Sequence, residues 1–152
     1  MDALTRRAVL AVGNRQRGDD AVGPLIADQL ESAPGLLVLD AGLSPENYLG
    51  PLTRFRPNAL LIIDACDFGG EPGEHRLCGR AELERLAGGS VSTHTLPLSL
   101  TVTMLEMELE VRIDFLGIQP ASLELAERLS GPVAAALPGL VELVRDWAAG
   151  RG

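Results

Sequence analysis

Short apolar runs alternate with amphipathic stretches along most of the chain. Residues 8–12, 36–39 and 59–63 are continuous apolar runs, and each is followed by glycine or acidic residues. Runs this short and unbroken are typical of strands buried on both faces of a parallel sheet. Weaker patterns predict an edge segment near 75–77 and a further strand over 111–116.

Between these runs the apolar residues follow helical spacing. Val22, Leu25, Ile26 and Leu30 predict a helix over 22–33. Similar reasoning predicts helices over the ranges 45–52, 80–87, 97–108 and 132–148. Pro132 suits the first turn of the last helix, whereas Pro138 should kink or delay it. Residues 121–130 fit a helix by propensity and a strand by alternation, and both readings stay open.

The alternation of strands and helices predicts the fold class. We expect an α/β fold with a doubly wound, mainly parallel sheet of about five strands and helices on both faces. The 152 residues suit one domain that spans 1–152, with no repeat or linker.

Composition narrows the classes of partner. The net charge of −8 argues against nucleic acid and against an anionic membrane surface. No apolar run is long enough for a transmembrane helix, and the N-terminal run is interpreted as the first strand and not a signal peptide. Cys66 and Cys78 form no CxxC pair. This cysteine usage fits a reducing compartment, so we expect a cytoplasmic protein.

The chain contains no lysine, because all 13 basic residues are arginine. This excludes a P-loop and argues against a phosphoryl-receiving signalling domain, which uses a lysine after its last strand. The glycines of VGNRQRGDDAVG do not form GxGxxG, which argues against a dinucleotide site.

Acidic residues follow each of the first three predicted strands. Asp19 and Asp20 come after the first, Asp40 after the second, and Asp64 and Asp67 after the third. His94 precedes a predicted helix. Because the carboxyl ends of parallel strands share one edge of the sheet, these residues should converge there.

Each residue also has a simpler interpretation. Asp19 or Asp20 would suit a helix N-cap, and Asp40 and Asp64 would suit turns that close strands. His94 alone is more often a hydrogen-bonded structural histidine. Taken together, two carboxylates and an imidazole form a ligand set for a divalent ion, with positions left open for substrate.

Five sequence blocks carry a family resemblance. VGNRQRGDDAVG, LDAGLSPEN, LLIIDACDFGGEPGE, STHTLPLS and FLGIQP resemble, in the same order, the motifs of hydrogenase maturation proteases. The resemblance covers about residues 8–145 and is closest to the branch that serves formate hydrogenlyase. Ala21 departs from the glycine that many members have at this position.

The resemblance implies an activity and a site. Asp20, Asp64 and His94 match the family's metal ligands and would form the catalytic centre, with Asp40 in a supporting role. The implied reaction is one endoproteolytic cut that removes the C-terminal extension of a nickel-iron hydrogenase large-subunit precursor after nickel insertion. The metal would be nickel carried by the precursor, with zinc or a similar ion able to substitute.

The nucleophile is not marked by any motif. No Ser-His-Asp or Cys-His pattern is evident, so water is expected to attack, and Cys66 is interpreted as a small core thiol. His75 is expected to be solvent-exposed. The family implies a monomer. The alternative from another class is a non-catalytic nickel-checking or metal-sensing chaperone on the same fold.

Overall fold

A five-stranded sheet forms the centre of the molecule. The computed structural model describes residues 5–87, 98–122, 124 and 126–151. Its strands in chain order are β1 (Arg7–Val12), β2 (Leu36–Gly42), β3 (Ala59–Ala65), β4 (His75–Gly79) and β5 (Arg112–Ile118). Their order across the sheet is β2-β1-β3-β5-β4, and only β4 runs antiparallel to its neighbour. The predicted mainly parallel α/β fold is therefore confirmed.

Helices cover both faces of the sheet. They are α1 (Val22–Asp28), α2 (Leu49–Phe55), α3 (Arg80–Ala87), α4 (Leu98–Glu108) and α5 (Gly131–Ala148). Two short 3-10 helices, Gly18–Ala21 and Pro45–Tyr48, precede α1 and α2. Leucine and valine side chains of α2, α3 and α4 form one core with the sheet, and those of α1 and α5 form the other. In the part of the chain that the structure describes, no helix has both the length and the apolar character of a membrane span.

Two helices differ from their predictions. The first helix ends at Asp28 and not near residue 33, because the chain must turn back through Gly35 (φ 86°) to begin β2. The last helix begins at Gly131 and passes through Pro138 without delay. Ala134 and Pro138 are both exposed. Water can therefore replace the hydrogen bond that proline cannot donate.

Two strands are longer than predicted at their carboxyl ends. β2 continues to Gly42 and β3 to Ala65, so Asp40 and Asp64 belong to the sheet. They are not turn residues that follow it. The described part of the undecided segment, residues 121–122, 124 and 126–130, forms neither a helix nor a named strand.

Candidate active site at the carboxyl edge of the sheet

Asp20 is folded back over the end of β1. It lies in the 3-10 helix Gly18–Ala21 and is wholly buried. The backbone amide of Asn14 donates a hydrogen bond to its Oδ2 at 3.0 Å. Gly13, at φ 155°, is required here, because a Cβ atom would overlap the backbone carbonyl oxygen of Asp20. Asp20 does not cap α1, whose N-cap is Ala21 without a side-chain cap bond.

Asp64 occupies the central strand at the same edge. Its side chain is wholly buried, and its backbone pairs with Gly117 of β5. The first turn of α1 lies against this strand end, because a Cβ atom on Gly23 would stand 2.8 Å from the Val12 carbonyl oxygen and 3.1 Å from that of Ile63. Gly23 is three residues after Asp20, and Ile63 directly precedes Asp64. The fold thus brings both buried carboxylates to one edge.

His94 lies outside the described residues, so its role as the third ligand stays a prediction. The described neighbours of that segment are informative. The Leu86 carbonyl oxygen accepts a 2.6 Å hydrogen bond from the Cys66 thiol, just beyond the end of β3. Helix α4 ends near Asn58, at the opposite edge of the sheet. Its last residue, Glu108, lines the same cleft there as Asn58. Within the described ranges, no three His, Cys, Asp or Glu side chains are grouped as a metal site.

Asp19 has a structural role that the sequence analysis missed. Its buried carboxylate accepts hydrogen bonds from the Ala121 amide (2.7 Å), the Ser130 amide (2.7 Å) and the Ser130 hydroxyl (2.8 Å). These bonds tie the start of the GDD segment to the loop between β5 and α5. The two adjacent acids therefore have different contacts. Asp19 binds the loop between β5 and α5, and Asp20 accepts a hydrogen bond from Asn14 after the end of β1.

Gln119 is a second residue whose role the sequence analysis missed, although it lies in the FLGIQP block. Its Oε1 accepts hydrogen bonds from the amides of Phe68 (2.9 Å) and Gly70 (3.0 Å), and its Nε2 donates to Asp67 (3.1 Å). Hydrogen bonds from the Gly69 amide and from Gln119 hold the pKa of Asp67 below its usual value. Gln119 thus fixes the loop that follows Asp64.

Asp40 takes part in a charged strap beside the site. Arg15 donates to Asp40 Oδ2 at 2.7 Å and to the two oxygens of Asp28 at 2.7 and 2.8 Å. Hydrogen bonding to Asp28, and then to Asp40, raises the pKa of Arg15. The strap links the loop after β1 to the end of β2 and to α1, which is consistent with a supporting role for Asp40.

Cys66 and His75, the two other candidates for chemistry, are both described by the structure. Cys66 is wholly buried in the core, and burial, followed by the negative charges of Asp64 and Asp67, raises its pKa to about 12. A thiol in this state is a poor nucleophile, because the thiolate is the reactive form. His75 begins the edge strand β4 and is exposed, as predicted.

Known proteins share this sequence and this fold. Residues 22–147 match the family described as hydrogenase maturation protease. The hydrogenase 3 maturation protease of Escherichia coli K12 is 33% identical over 141 residues, which cover 91% of this chain and 88% of that protein. A putative hydrogenase maturation protease of Methanocaldococcus jannaschii is 33% identical over 122 residues, covering 74% and 70%.

Solved structures of maturation proteases have a similar fold. The HycI maturation protease of Thermococcus kodakarensis superposes with a TM-score of 0.82 at 34% identity, covering 95% of this chain and 93% of that one. The E. coli maturating endopeptidase HybD gives a TM-score of 0.84 at 26% identity, covering 97% and 94%. Fold and sequence together define this chain as an α/β protein of the class of proteases that mature other proteins. The chain belongs to the hydrogenase maturation protease family and is a peptidase.

Proposed function

We propose that this peptidase removes the C-terminal extension of a nickel-iron hydrogenase large-subunit precursor by one cut after nickel insertion. The observation that supports this most strongly is the pair of wholly buried carboxylates, Asp20 and Asp64, at the carboxyl edge of the sheet. Carboxylate oxygens are ligands that suit a divalent cation, so this edge offers two candidate ligands for a metal carried by the precursor.

Nickel in the precursor is the cation that the proposal assigns to this edge. Asp20, Asp64 and His94 would bind it, because oxygen and imidazole ligands suit divalent ions of this kind and three protein ligands leave positions for substrate groups. Zinc or a similar ion would be able to substitute. Binding the precursor's own metal would make nickel insertion the condition for recognition.

The next part of the proposal concerns the nucleophile that attacks the peptide bond. With Cys66 protonated and buried, a water molecule is the proposed nucleophile. The enzyme's part is to hold the precursor through its metal, so that the neighbouring peptide bond lies beside the carboxyl edge. Positioning of this kind is a recognised source of rate enhancement. We propose further that the protein works as a cytoplasmic monomer.

Three conservative polar substitutions test the site. Asp20→Asn, Asp64→Asn and His94→Gln would each be incubated with the nickel-loaded precursor, and processing would be followed by intact mass. We expect each to lose at least about a hundredfold in rate, as is common for the loss of a group that binds the reacting centre. Asparagine is preferred to alanine because Asp20 and Asp64 are buried and a cavity would confuse folding with function.

His75→Gln is the matched control for the histidine, since His75 is exposed on β4. It should process the precursor at the wild-type rate. Normal processing by two of the three site variants would refute the assignment. If wild-type protein bound the nickel-loaded precursor and left it intact under all conditions, the non-catalytic chaperone would be the better description.

A further inference from the structure

One face of α4 exposes a row of large apolar side chains. Leu100 is 43% exposed, Met104 39% and Met107 80%, and we call these three residues the α4 stripe. They recur at intervals of four and three residues, so they lie on one face of the helix. Both methionines that follow Met1 in the sequence belong to it. Folding does not account for this face, because Leu98, Val102 and Leu105 already supply the contact of α4 with the core.

The surroundings of the α4 stripe are acidic. Glu106, Glu108 and Glu110 lie beside its far end, and Glu106 is paired with Arg80 at 3.0 Å. Neither Glu108 nor Glu110 forms an ion pair with any residue that the structure describes. An apolar centre with a charged border is the usual composition of a protein–protein contact.

The position of the helix relates this surface to the candidate active site. α4 runs from the carboxyl edge of the sheet, where Asp20 and Asp64 lie, to the cleft beside Asn58 at the opposite edge. The α4 stripe begins two residues inside the helix and extends about 10 Å along its axis. A partner seated on it would extend from Met107, which lines the cleft at the opposite edge, towards the carboxyl edge.

We propose that the α4 stripe docks the folded body of the precursor, through an apolar patch bordered by arginine or lysine. This inference rests on the proposed function and adds the surface on which the substrate is held. Charge selects this occupant over a second copy of the chain, because a dimer would bring together two proteins that each carry a net charge of −8. Methionine side chains adapt to an irregular partner surface.

The size of the surface agrees with an enzyme that must release its product. Three side chains are far fewer than the 20–30 residues on each side of a stable interface. The α4 stripe would contribute to a transient complex, while the carboxyl edge supplies the selectivity for nickel.

The test compares Michaelis parameters on the nickel-loaded, full-length precursor. The variant combines Leu100→Ser, Met104→Ser and Met107→Ser, and all three positions are exposed, so its melting temperature should match that of wild type. We expect KM to rise at least about tenfold with kcat within twofold, because the lost contacts hold the substrate and do not touch the reacting bond. Leu77→Ser, at an apolar position 42% exposed on β4, is the control and should leave KM unchanged.

Charge supplies an independent arm. Replacing Glu108 and Glu110 by lysine should raise KM at low salt, and the difference from wild type should shrink as ionic strength increases. Processing by wild type with an unchanged KM in the triple serine variant would overturn the docking proposal. So would a concentration-dependent dimer, detected by sedimentation, that the triple serine variant abolishes.

If the wild-type protein cut no precursor, the proposed function would fail, but the docking proposal could still be tested. Docking would then be measured by calorimetric titration of the precursor with both proteins. Loss of binding in the triple serine variant would support the docking surface, and equal binding would overturn it.

Discussion

The Asp19 carboxylate accepts hydrogen bonds from both the amide and the hydroxyl of Ser130, at 2.7 and 2.8 Å, across 111 positions of sequence. It also accepts from the Ala121 amide at 2.7 Å. One buried side chain thereby joins the GDD segment at the start of the fold to the loop that leads into its last helix. The residue beside it, Asp20, is one of the three residues that we propose bind the precursor's nickel.

Asp19→Ala should therefore act on stability. The substitution leaves the part-buried amides of Ala121 and Ser130 without their acceptor, and we expect the free energy of unfolding to fall by about 1–3 kcal/mol. Urea denaturation would measure it. Ser130→Ala should lower the free energy of unfolding by less than Asp19→Ala does. The double variant should lose less than the sum of the two single losses, since both substitutions remove the hydrogen bond from the Ser130 hydroxyl to Asp19. Additive costs would show that the Asp19–Ser130 contact contributes nothing.

Gly23→Ala tests the approach of α1 to the strand ends. The added Cβ would lie 2.8 Å from the Val12 carbonyl oxygen, so the helix must shift. We expect a loss of about 1–3 kcal/mol in unfolding free energy and slower processing, because Asp20 lies three residues before Gly23.

Gly139→Ala is the matched control for that substitution. Gly139 lies inside α5, with nothing within 4 Å of the added Cβ. Alanine there should stabilise the protein by about 0.5–1 kcal/mol and leave processing unchanged. Equal effects of the two substitutions would contradict the proposed close packing at Gly23.

Cys66 should be inert in the folded protein. Its thiol is wholly buried, donates to the Leu86 carbonyl oxygen and has a pKa of about 12. Alkylation with iodoacetamide at pH 8, followed by peptide mass mapping, should leave Cys66 unmodified until denaturant is added. Cys66→Ala should retain processing within about threefold. Rapid native alkylation, or a loss of activity without a loss of stability, would reopen its role as nucleophile.

The strap between Arg15 and Asp28 should give a defined pH dependence. The hydrogen bond from Arg15 lowers the pKa of Asp28 in the folded state. The pair therefore stabilises the fold above the unfolded-state pKa of about 3.9, and this contribution is lost as pH falls through the lower folded-state value. Both side chains are 45% exposed, so the effect should stay below about 1 kcal/mol.

Asp28→Asn measures that contribution. Unfolding free energies of wild type and variant, compared from pH 7 to pH 2, should differ most near neutrality and converge in acid. A difference that persists unchanged at pH 2 would assign the effect to packing and not to the charge on Asp28.

The order of elements was predictable because it depends on local patterns. Buried parallel strands are continuous apolar runs, and each of the three such runs in the sequence became a strand. The gathering of Asp20 and Asp64 followed from this order, since parallel strands place their carboxyl ends at one edge. The early end of α1 was not predictable from spacing, because it is set by the turn that starts β2.

The roles of individual polar residues were less accessible. Asp19 and Gln119 act on backbone amides that lie 111 and 51 positions away in sequence, and no local pattern encodes such pairs. Capping was the natural local interpretation of the GDD pair, and it is wrong for both acids. Asp64 differs from expectation for another reason: pairing with β5 extends β3 past the point where its apolar run stops.

The most direct test of the account is the intact mass of the large-subunit precursor after incubation with this protein, with and without nickel in the precursor. We expect a single truncation at the C-terminus of the nickel-loaded form only. Asp64→Asn protein should leave that form whole. Equal cutting of both forms, or normal cutting by the variant, would contradict the claim that Asp64 helps to bind the precursor's nickel.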